Sequence, residues 1–224
     1  MFDLETTGVS VEHDRVVTAH VGRLDREGVL VERVDWLVNP GIAIPAGASA
    51  VHGISTERAQ ADGVAAPQAI ADIVSVLRRY SEAGLPIVAY NAAYDFSLLD
   101  REARRYGIAP FVPERVIDPL VIDKAVDRYR KGKRTLTVSC AHYGVSLDGA
   151  HEASADAIAA GRLAIALAAA FPQLGELSAE QLHAQQRVWS AEQAESFAKW
   201  RHSQGDTAFR AERGWPVREL FAQS

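Results

Sequence analysis

Along the chain, stretches of β-branched residues alternate with stretches in which apolar residues have helical spacing. Val16 to Leu24 and Val29 to Val38 are rich in β-branched residues, and Asp25–Gly28 between them predicts an antiparallel hairpin with the chain's first strand beside it. The predicted helices cover about Pro67–Tyr80, Tyr94–Tyr106, Leu136–Tyr143, Ala153–Ala170 and Ser178–Ser203, and two short strands are predicted at Pro86–Tyr90 and Val116–Ile117.

This order of elements predicts an α/β fold, a mixed β-sheet flanked by helices with its first strand central. Residues 1–171 form the predicted domain, and residues 172–224 a helical C-terminal extension and tail. Residues 39–53 are predicted to be a loop. Only Met1 and Phe2 precede Asp3, whereas strands usually have about five or six residues, so the strand is unusually short or the natural start lies upstream.

Composition indicates a globular chain with a sizeable core, since 48% of its 224 residues are hydrophobic and 24% are charged. The longest apolar stretch, Ala157 to Phe171, is interrupted by Gly161 and Arg162 and is too short to span a bilayer. The N-terminus has neither the basic region nor the apolar segment of a signal peptide. A single cysteine, Cys140, excludes an internal disulfide and agrees with a reducing compartment. We therefore expect a cytoplasmic protein without a membrane partner.

The formal net charge of −5 argues against a nucleic-acid partner, because phosphate binding depends on Lys and Arg. Divalent metals bound to carboxylates can reverse that local sign. Asp3 and Glu5 are alternate residues of the first predicted strand, so both side chains point to one face. Two like charges at this distance repel, which indicates a cation between them, although acidic residues at a strand end are also commonly just solvated.

Two further stretches carry acidic or titratable residues at element junctions. Asp95 follows a buried strand at the start of a helix, where α/β proteins tend to build sites, although a helix N-terminal charge is the simpler explanation. His151 and Asp156 diverge by about 140° on one regular helix, so they converge only if His151 lies on the loop and Asp156 in the first turn. Such a histidine suits a general base, and the alternative is an exposed histidine beside a helix cap.

Taken in order, Asp3-x-Glu5-Thr-Thr-Gly, Asn91-Ala-x-x-Asp95 and His151-x-Ala-x-x-Asp156 resemble the three motifs of the DEDDh (DnaQ-like) 3′→5′ exonuclease family. That family includes the epsilon proofreading subunit of bacterial DNA polymerase III. The stretches 51–54 and 117–120 also match sequences seen between the motifs of the family. The resemblance covers about residues 1 to 170 and implies a ribonuclease-H-like fold.

By this resemblance, two Mg²⁺ or Mn²⁺ ions are the implied cofactors, and their ligands are Asp3, Glu5, Asp95 and Asp156, with Asp3 bridging. His151 is the implied catalytic base that deprotonates the attacking water, and the product is a nucleoside 5′-monophosphate. Contacts to the terminal nucleotide are implied for Leu4, Thr6, Thr7, Gly8, His52, Asn91 and Phe96. Gly8 is alternatively there only for its turn, Phe96 is favoured as a core residue, and Asp118 is interpreted as structural rather than as a metal ligand.

Residues 128–134, Arg-Tyr-Arg-Lys-Gly-Lys-Arg, form the one concentrated basic run of the sequence. It is either a solvated loop or a contact to the phosphate backbone upstream of the scissile bond, with Tyr129 interleaved. In the extension, Trp189, Phe197 and Trp200 share part of a helix face. Packing onto the domain is the default explanation, and a polymerase or other protein partner is the alternative.

The favoured function is 3′→5′ exonucleolysis at single-stranded nucleic-acid 3′ ends, DNA over RNA, in replication or repair. An RNA-directed exoribonuclease shares the chemistry and is the first alternative. A polymerase-associated binding module without catalysis is a second, although it has no need to keep repelling charges in one cleft. Haloacid-dehalogenase-type phosphatases also begin on a strand ending in an acidic pair, but they do not explain the stretches 91–95 and 151–156.

Overall fold

The computed structural model describes residues 1–147 and 152–220. Its larger sheet has the order β1 (Phe2–Thr6), β2 (Val16–Leu24), β3 (Leu30–Asn39), β4 (Val64–Ala65). The first three strands are antiparallel, and β4 is parallel to β3. A second sheet pairs β5 (Ile87–Val88) with β6 (Val116–Ile117) in parallel. The strands therefore form the mixed arrangement that the sequence predicts.

Eight α-helices lie within the described residues: α1 (Ala46–His52), α2 (Thr56–Asp62), α3 (Ala66–Glu82), α4 (Ala92–Arg105), α5 (Pro119–Val126), α6 (Leu136–His142), α7 (Ala153–Ala170) and α8 (Ala179–Ser203). Their starts follow ordinary capping chemistry. Ser178, for example, caps α8 by accepting a hydrogen bond from the Gln181 amide, while the Gln181 side chain accepts one from the Ser178 amide. Apolar spacing in α3 buries Ile70, Ile73 and Leu77 on one face.

The predicted hairpin, the short strands at 87–88 and 116–117, and the five helices of the sequence analysis are confirmed. Two expectations are wrong. In hydrogen-bonding terms β1 is an edge strand, because among the described residues it pairs only with β2. The stretch 39–53, predicted to be a loop, contains α1, a helix without a buried residue and therefore without an apolar periodicity to reveal it.

Alternation along β1 separates the core from the acidic face. Phe2 and Leu4 are buried in the hydrophobic core that the sheets form with α3 and α4, whereas Asp3 and Glu5 point the other way and are only partly buried. Helix α7 packs against β1 and β2. The first strand therefore supplies its apolar residues to the core and its carboxylates to the side where α7 begins.

Two features of the fold are strongly apolar. Among the described residues, α7 is the one helix long and apolar enough to cross a membrane by length and composition. It buries residues such as Leu163 and Leu167 within the protein, as a core helix does. An apolar cavity of about 400 Å³, lined by Met1, Leu24 and Ile87 among others, includes none of the four motif carboxylates.

Candidate active site

Three of the predicted carboxylates converge in space. Asp3 and Glu5 project from the same face of β1, and Asp156 lies in the first turn of α7, which packs across that strand. One oxygen from each of Asp3, Glu5 and Asp156 lies within 4.8 Å of the other two. The placement of Asp156 in the first helical turn agrees with the sequence analysis.

Burial and the mutual repulsion of these carboxylates raise the pKa values of Asp3 and Glu5. Burial and the charge of Asp156 raise the pKa of Glu5 to about 7. Burial, followed by the charges of Asp95, Glu5 and Asp156, raises the pKa of Asp3 well above its ordinary value. A divalent cation removes this repulsion, and an all-oxygen donor set suits hard cations such as Mg²⁺ and Mn²⁺. The residues present therefore fit a divalent metal.

Asp95, the fourth carboxylate, lies behind this group in the first turn of α4. Its Oδ1 accepts a hydrogen bond of 3.0 Å from the Leu4 amide, which ties α4 to β1 between Asp3 and Glu5. Burial raises the pKa of Asp95 well above its ordinary value, and the Leu4 amide opposes that rise. Among the described residues, the set whose oxygens lie within 4.8 Å of one another does not include Asp95, although its charge acts on Asp3.

Asp118 holds the turn from which α4 starts. Asn91 has a left-handed backbone with φ 61°, uncommon for a residue other than glycine. The Asn91 and Ala92 amides donate to the two carboxylate oxygens of Asp118 at 3.0 and 2.9 Å. Asn91 is exposed, and the Asp118 carboxylate accepts hydrogen bonds from the backbone amides of Asn91, Ala92 and Leu120. These contacts support the interpretation of Asp118 as structural.

The turn after β1 is fixed by a tyrosine that the sequence analysis did not single out. Thr6 Oγ1 lies 2.6 Å from the Tyr94 hydroxyl, and both side chains donate to the Gly8 carbonyl oxygen at 2.6 and 2.5 Å. Burial raises the pKa of Tyr94 to about 12, so its hydroxyl stays protonated and able to donate. The sequence signal that could have pointed to Tyr94 was its position one residue before Asp95 in the second motif.

Close packing explains the glycine in this turn. A Cβ on Gly8 would lie 2.6 Å from a carboxylate oxygen of Asp14. That carboxylate accepts hydrogen bonds from the Thr7 hydroxyl at 2.8 Å and from the Ser10 amide at 2.7 Å, so it has little freedom to move away. The tight turn thus requires Gly8, as the alternative interpretation of this residue anticipated. Contacts of Thr6, Thr7 and Gly8 with a nucleotide remain predictions.

His52 ends α1 beside the acidic face. Its Nδ1 accepts a hydrogen bond of 3.2 Å from the Ile54 amide. Burial lowers the pKa of His52, and the nearby Thr6 backbone opposes that fall. This position next to the turn is compatible with the predicted contact to the terminal nucleotide.

The structure places the side chains of two predicted substrate contacts in the core. The Phe96 ring is 2% exposed and packs against Phe2 and Phe111, with ring centroids 5.4 and 6.1 Å away. It is a core residue, as the sequence analysis favoured. The Leu4 side chain is also buried, and its amide is occupied by Asp95. These residues shape the site from below, and neither side chain reaches its surface.

His151, the predicted general base, lies outside the described residues. Its assignment therefore remains a prediction. The described neighbours on either side are Leu147 and Glu152, and Glu152 is the residue from which α7 starts. Because Asp156 lies one turn into that helix, a histidine just before Glu152 stands near the acidic group in the chain.

The basic run divides into a structural and an exposed part. Arg130 and Arg134 both pair with the buried Asp123, and the Arg134 carbonyl oxygen accepts a hydrogen bond of 2.7 Å from the Tyr90 hydroxyl. Arg128, Lys131 and Lys133 are exposed, and within the described part of the chain none of them has an acidic partner within 4 Å; Tyr129 is 89% exposed. The loop is thus anchored to Asp123 and to the Tyr90 hydroxyl, and it presents three cations without an acidic partner among the described residues.

The aromatic residues of α8 differ in how far they are buried. Trp189 is partly buried and packs against both larger core clusters, which confirms the default explanation for this residue. Phe197 and Trp200 stack on each other with centroids 5.6 Å apart and are about half exposed, at 47% and 54%. The helix therefore docks through its first half and leaves these two rings on the surface.

The sequence is similar to those of known DNA polymerase III proteins. DNA polymerase III PolC-type of Streptococcus thermophilus is 30% identical over 188 residues, which are 82% of this chain and 12% of that protein. DNA polymerase III subunit epsilon of Treponema pallidum is 29% identical over 160 residues, 70% of this chain and 69% of that protein. This chain thus spans about an eighth of the length of the PolC-type relatives.

Solved structures share the fold at low identity. Exonuclease I has a TM-score of 0.67 and 22% identity, covering 78% of this chain and 41% of that chain. Exonuclease X in complex with 5′ overhanging duplex DNA has a TM-score of 0.56 and 19% identity, covering 81% of this chain and 95% of that chain. The sequence model of the exonuclease family RNase_T matches residues 1–164. The chain therefore belongs to this exonuclease family.

Proposed function

We propose that this protein is a divalent-metal-dependent 3′→5′ exonuclease that removes nucleoside 5′-monophosphates from single-stranded DNA ends. The observation that carries the proposal is the convergence of Asp3, Glu5 and Asp156 within 4.8 Å in a chain that belongs to an exonuclease family. Support for DNA comes from relatives that are DNA polymerase III proteins and from the solved complex of exonuclease I with a dT13 oligonucleotide.

The proposed chemistry assigns a role to each carboxylate. Asp3, Glu5 and Asp156 hold two Mg²⁺ or Mn²⁺ ions, and Asp95 contributes from behind, directly or through water. Such ions supply charge stabilisation at the scissile phosphate and an activated water. The leaving 3′ oxygen takes up a proton as its bond to phosphorus breaks, while the hydroxyl of the attacking water joins the phosphorus.

His151 is proposed to accept the proton that the attacking water gives up. The ordinary pKa of a histidine side chain is close to neutral, so a histidine can accept this proton and return it to solvent. The turn 6–8, His52 and Asn91 are proposed to position the terminal nucleotide. The turn follows Glu5 directly, His52 lies against the Thr6 backbone, and Asn91 precedes the helix that carries Asp95. Arg128, Lys131 and Lys133 are proposed to meet backbone phosphates without reading sequence.

Digestion of matched 5′-labelled single-stranded DNA and RNA oligonucleotides with Mg²⁺, Mn²⁺ or EDTA tests the proposal. We expect a metal-dependent ladder that shortens from the 3′ end, faster on DNA, and no ladder from Asp3→Asn, a variant of the same shape without the charge. A faster ladder on RNA favours the exoribonuclease alternative. A folded protein that produces no ladder on either substrate would be a binding module without catalysis.

Three further assignments stay predictions. They are the division of the chain into residues 1–171 and 172–224, the cytoplasmic location, and a polymerase or other protein partner for the C-terminal extension. The exposed Phe197 and Trp200 are the part of the extension that best suits a partner, since aromatic residues are enriched at protein interfaces.

A further inference from the structure

Helix α8 covers the open edge of β6 with polar side chains. The Val116 amide donates to Nδ1 of His183 at 3.0 Å, and the Val116 carbonyl oxygen accepts from Nε2 of Gln186 at 2.9 Å. The Asp118 amide donates to Oε1 of Gln186 at 2.7 Å. The Gln186 amide thus takes the place of a neighbouring strand along this edge. Because Gln186 is fully buried, its two bonds to Val116 and Asp118 lie away from water.

The tail beyond α8 reaches the same aspartate from another side. Trp215 is 8% exposed, its Nε1 lies 3.4 Å from Oδ2 of Asp118, and its ring packs at 5.1 Å from His183. Gln186 therefore contacts the backbone amide of Asp118, and Trp215 contacts its carboxylate. Both residues belong to the segment that matches no motif of the exonuclease resemblance and lies beyond the end of the family match at residue 164.

The tail also contacts α4 directly. The Arg218 amide donates to Oγ of Ser97 at 2.8 Å, and Nη2 of Arg101 donates to the carbonyl oxygens of Arg218 and Glu219, both at 3.1 Å. Ser97 and Arg101 lie one half-turn and nearly two turns after Asp95 on the same helix. Helix α4 is thus held at its start through Asp118 and along its length by the tail.

We infer that the segment from α8 to Glu219 is part of the support of the active site, with Gln186 and Trp215 as positioning residues that hold Asp118, the start of α4 and thereby Asp95. The inference rests on the proposed function for its consequence in catalysis. The physical reason is that the Asn91 backbone occupies the left-handed region, which persists only where its surroundings impose it. Asp118 imposes it through the Asn91 and Ala92 amides, and Gln186 and Trp215 fix Asp118.

Two conservative variants with matched controls test this. Trp215→Phe keeps a ring and removes one N–H, and Gln186→Leu removes the amide from a buried position. The controls are Trp200→Phe at an exposed ring, and Gln185→Leu, the same substitution one position earlier at a side chain for which no hydrogen bond is seen within the described residues. Thermal unfolding first establishes a temperature at which all variants are folded.

The first measurement is hydrogen exchange of the metal-free protein over residues 90–97. We expect exchange about threefold to tenfold faster in Trp215→Phe and Gln186→Leu, the range that corresponds to removal of one hydrogen bond of typical net strength, and no change in the controls. A merely structural role would lower the unfolding temperature without a local effect at this turn. Unchanged exchange in both folded variants would overturn the inference.

The second measurement is Mn²⁺ binding by calorimetry, followed by kcat and KM on a DNA oligonucleotide. We expect a Mn²⁺ Kd about threefold to tenfold weaker in both variants, with loss in kcat rather than in KM, because the ligand geometry changes and the surface that binds DNA does not. Faster exchange with unchanged Mn²⁺ affinity would also overturn the inference. If the wild-type protein binds no Mn²⁺, the proposed function fails, and the exchange experiment still decides whether these residues hold α4.

Discussion

The Leu4 amide donates a 3.0 Å hydrogen bond to Oδ1 of Asp95, and this bond joins the first strand to the helix that starts after β5. Leu4 lies between the two acidic residues of β1, so the bond also sets the distance between Asp95 and that pair. A nearby cation would stabilise the buried Asp95 carboxylate. Without a cation, the buried negative charge lowers the stability of the folded protein.

We predict that Asp95→Asn makes the metal-free protein more stable and the enzyme inactive. The asparagine Oδ1 still accepts from Leu4, whereas the buried charge and its repulsion with Glu5 disappear. The expected gain in the free energy of unfolding at pH 7.5 is on the order of 1 kcal/mol. Urea unfolding in EDTA and the oligonucleotide assay measure both effects. A variant less stable than wild type would show that Asp95 is paired rather than repelled in the metal-free state.

The contribution of Glu5 to the stability of the metal-free protein should fall as pH rises from about 4.5 to about 7. The pKa of Glu5 is raised in the folded protein from its ordinary value of 4.5 to about 7, so in this window the folded state binds more protons than the unfolded state. The contribution of Glu5 to stability is therefore complete below the ordinary pKa and is lost as pH passes through the folded pKa.

Thermal unfolding in EDTA at pH 5 and pH 8 measures this, with Glu5→Gln as the comparison because it removes the titration and keeps the shape. We expect Glu5→Gln to gain stability relative to wild type as pH rises, and Mn²⁺ to stabilise wild type more at pH 8 than at pH 5. A wild-type protein that differs from Glu5→Gln by the same amount at both pH values would contradict the assignment of the titration to Glu5.

His151→Ala is predicted to lower kcat by roughly 10²–10⁴-fold with little change in Mn²⁺ affinity, because the change removes a proton acceptor and no ligand. Rates across pH 6 to 9 and calorimetric Mn²⁺ titration measure the two quantities. Asp156→Asn is the matched comparison from the same motif, and it should weaken Mn²⁺ binding as well as turnover. Equal loss of Mn²⁺ affinity in both variants would make His151 a metal ligand rather than the base.

The sequence predicts those parts of the fold and site that depend on local pattern. Helix α3 follows from apolar spacing, the hairpin of β2 and β3 follows from β-branched runs around a polar turn, and α7 follows from its long apolar stretch. The convergence of Asp3, Glu5 and Asp156 follows from motif spacing together with resemblance. For the three elements the information lies within a few residues, whereas the convergence of the carboxylates, which are distant in the chain, was implied by the resemblance.

The support of the site could not be predicted because it depends on contacts between distant positions. Gln186 and Trp215 meet Asp118 across 68 and 97 residues. A single glutamine on a helix face is ordinarily exposed and gives no signal of burial in the sequence. The short helix α1 was not predicted for a different reason. It has no buried residue, so its sequence shows no apolar pattern.

The exposed cations of the basic loop are predicted to bind the substrate backbone. Replacing Arg128, Lys131 and Lys133 together by alanine should raise KM for a DNA oligonucleotide about tenfold or more at low salt, with kcat nearly unchanged, because these cations bind the phosphates equally in the ground and transition states. The dependence of log KM on log salt should also become shallower, by about 0.7 for each phosphate of a single strand that the protein no longer neutralises. Steady-state kinetics from 50 to roughly 200 mM salt measure both effects.

The matched control is Arg130→Ala within the same loop. Arg130 pairs with Asp123, whose side chain is fully buried, so its loss leaves an inadequately paired charge in the interior and should lower the unfolding temperature. The salt dependence should stay close to that of wild type, because the three exposed cations remain. A triple variant with unchanged KM and salt slope would contradict the phosphate contact, since a solvated loop can lose its charges without effect on binding. If Arg130→Ala has wild-type stability and a shallower dependence of log KM on log salt, Arg130 binds phosphate and is not the structural residue of this loop.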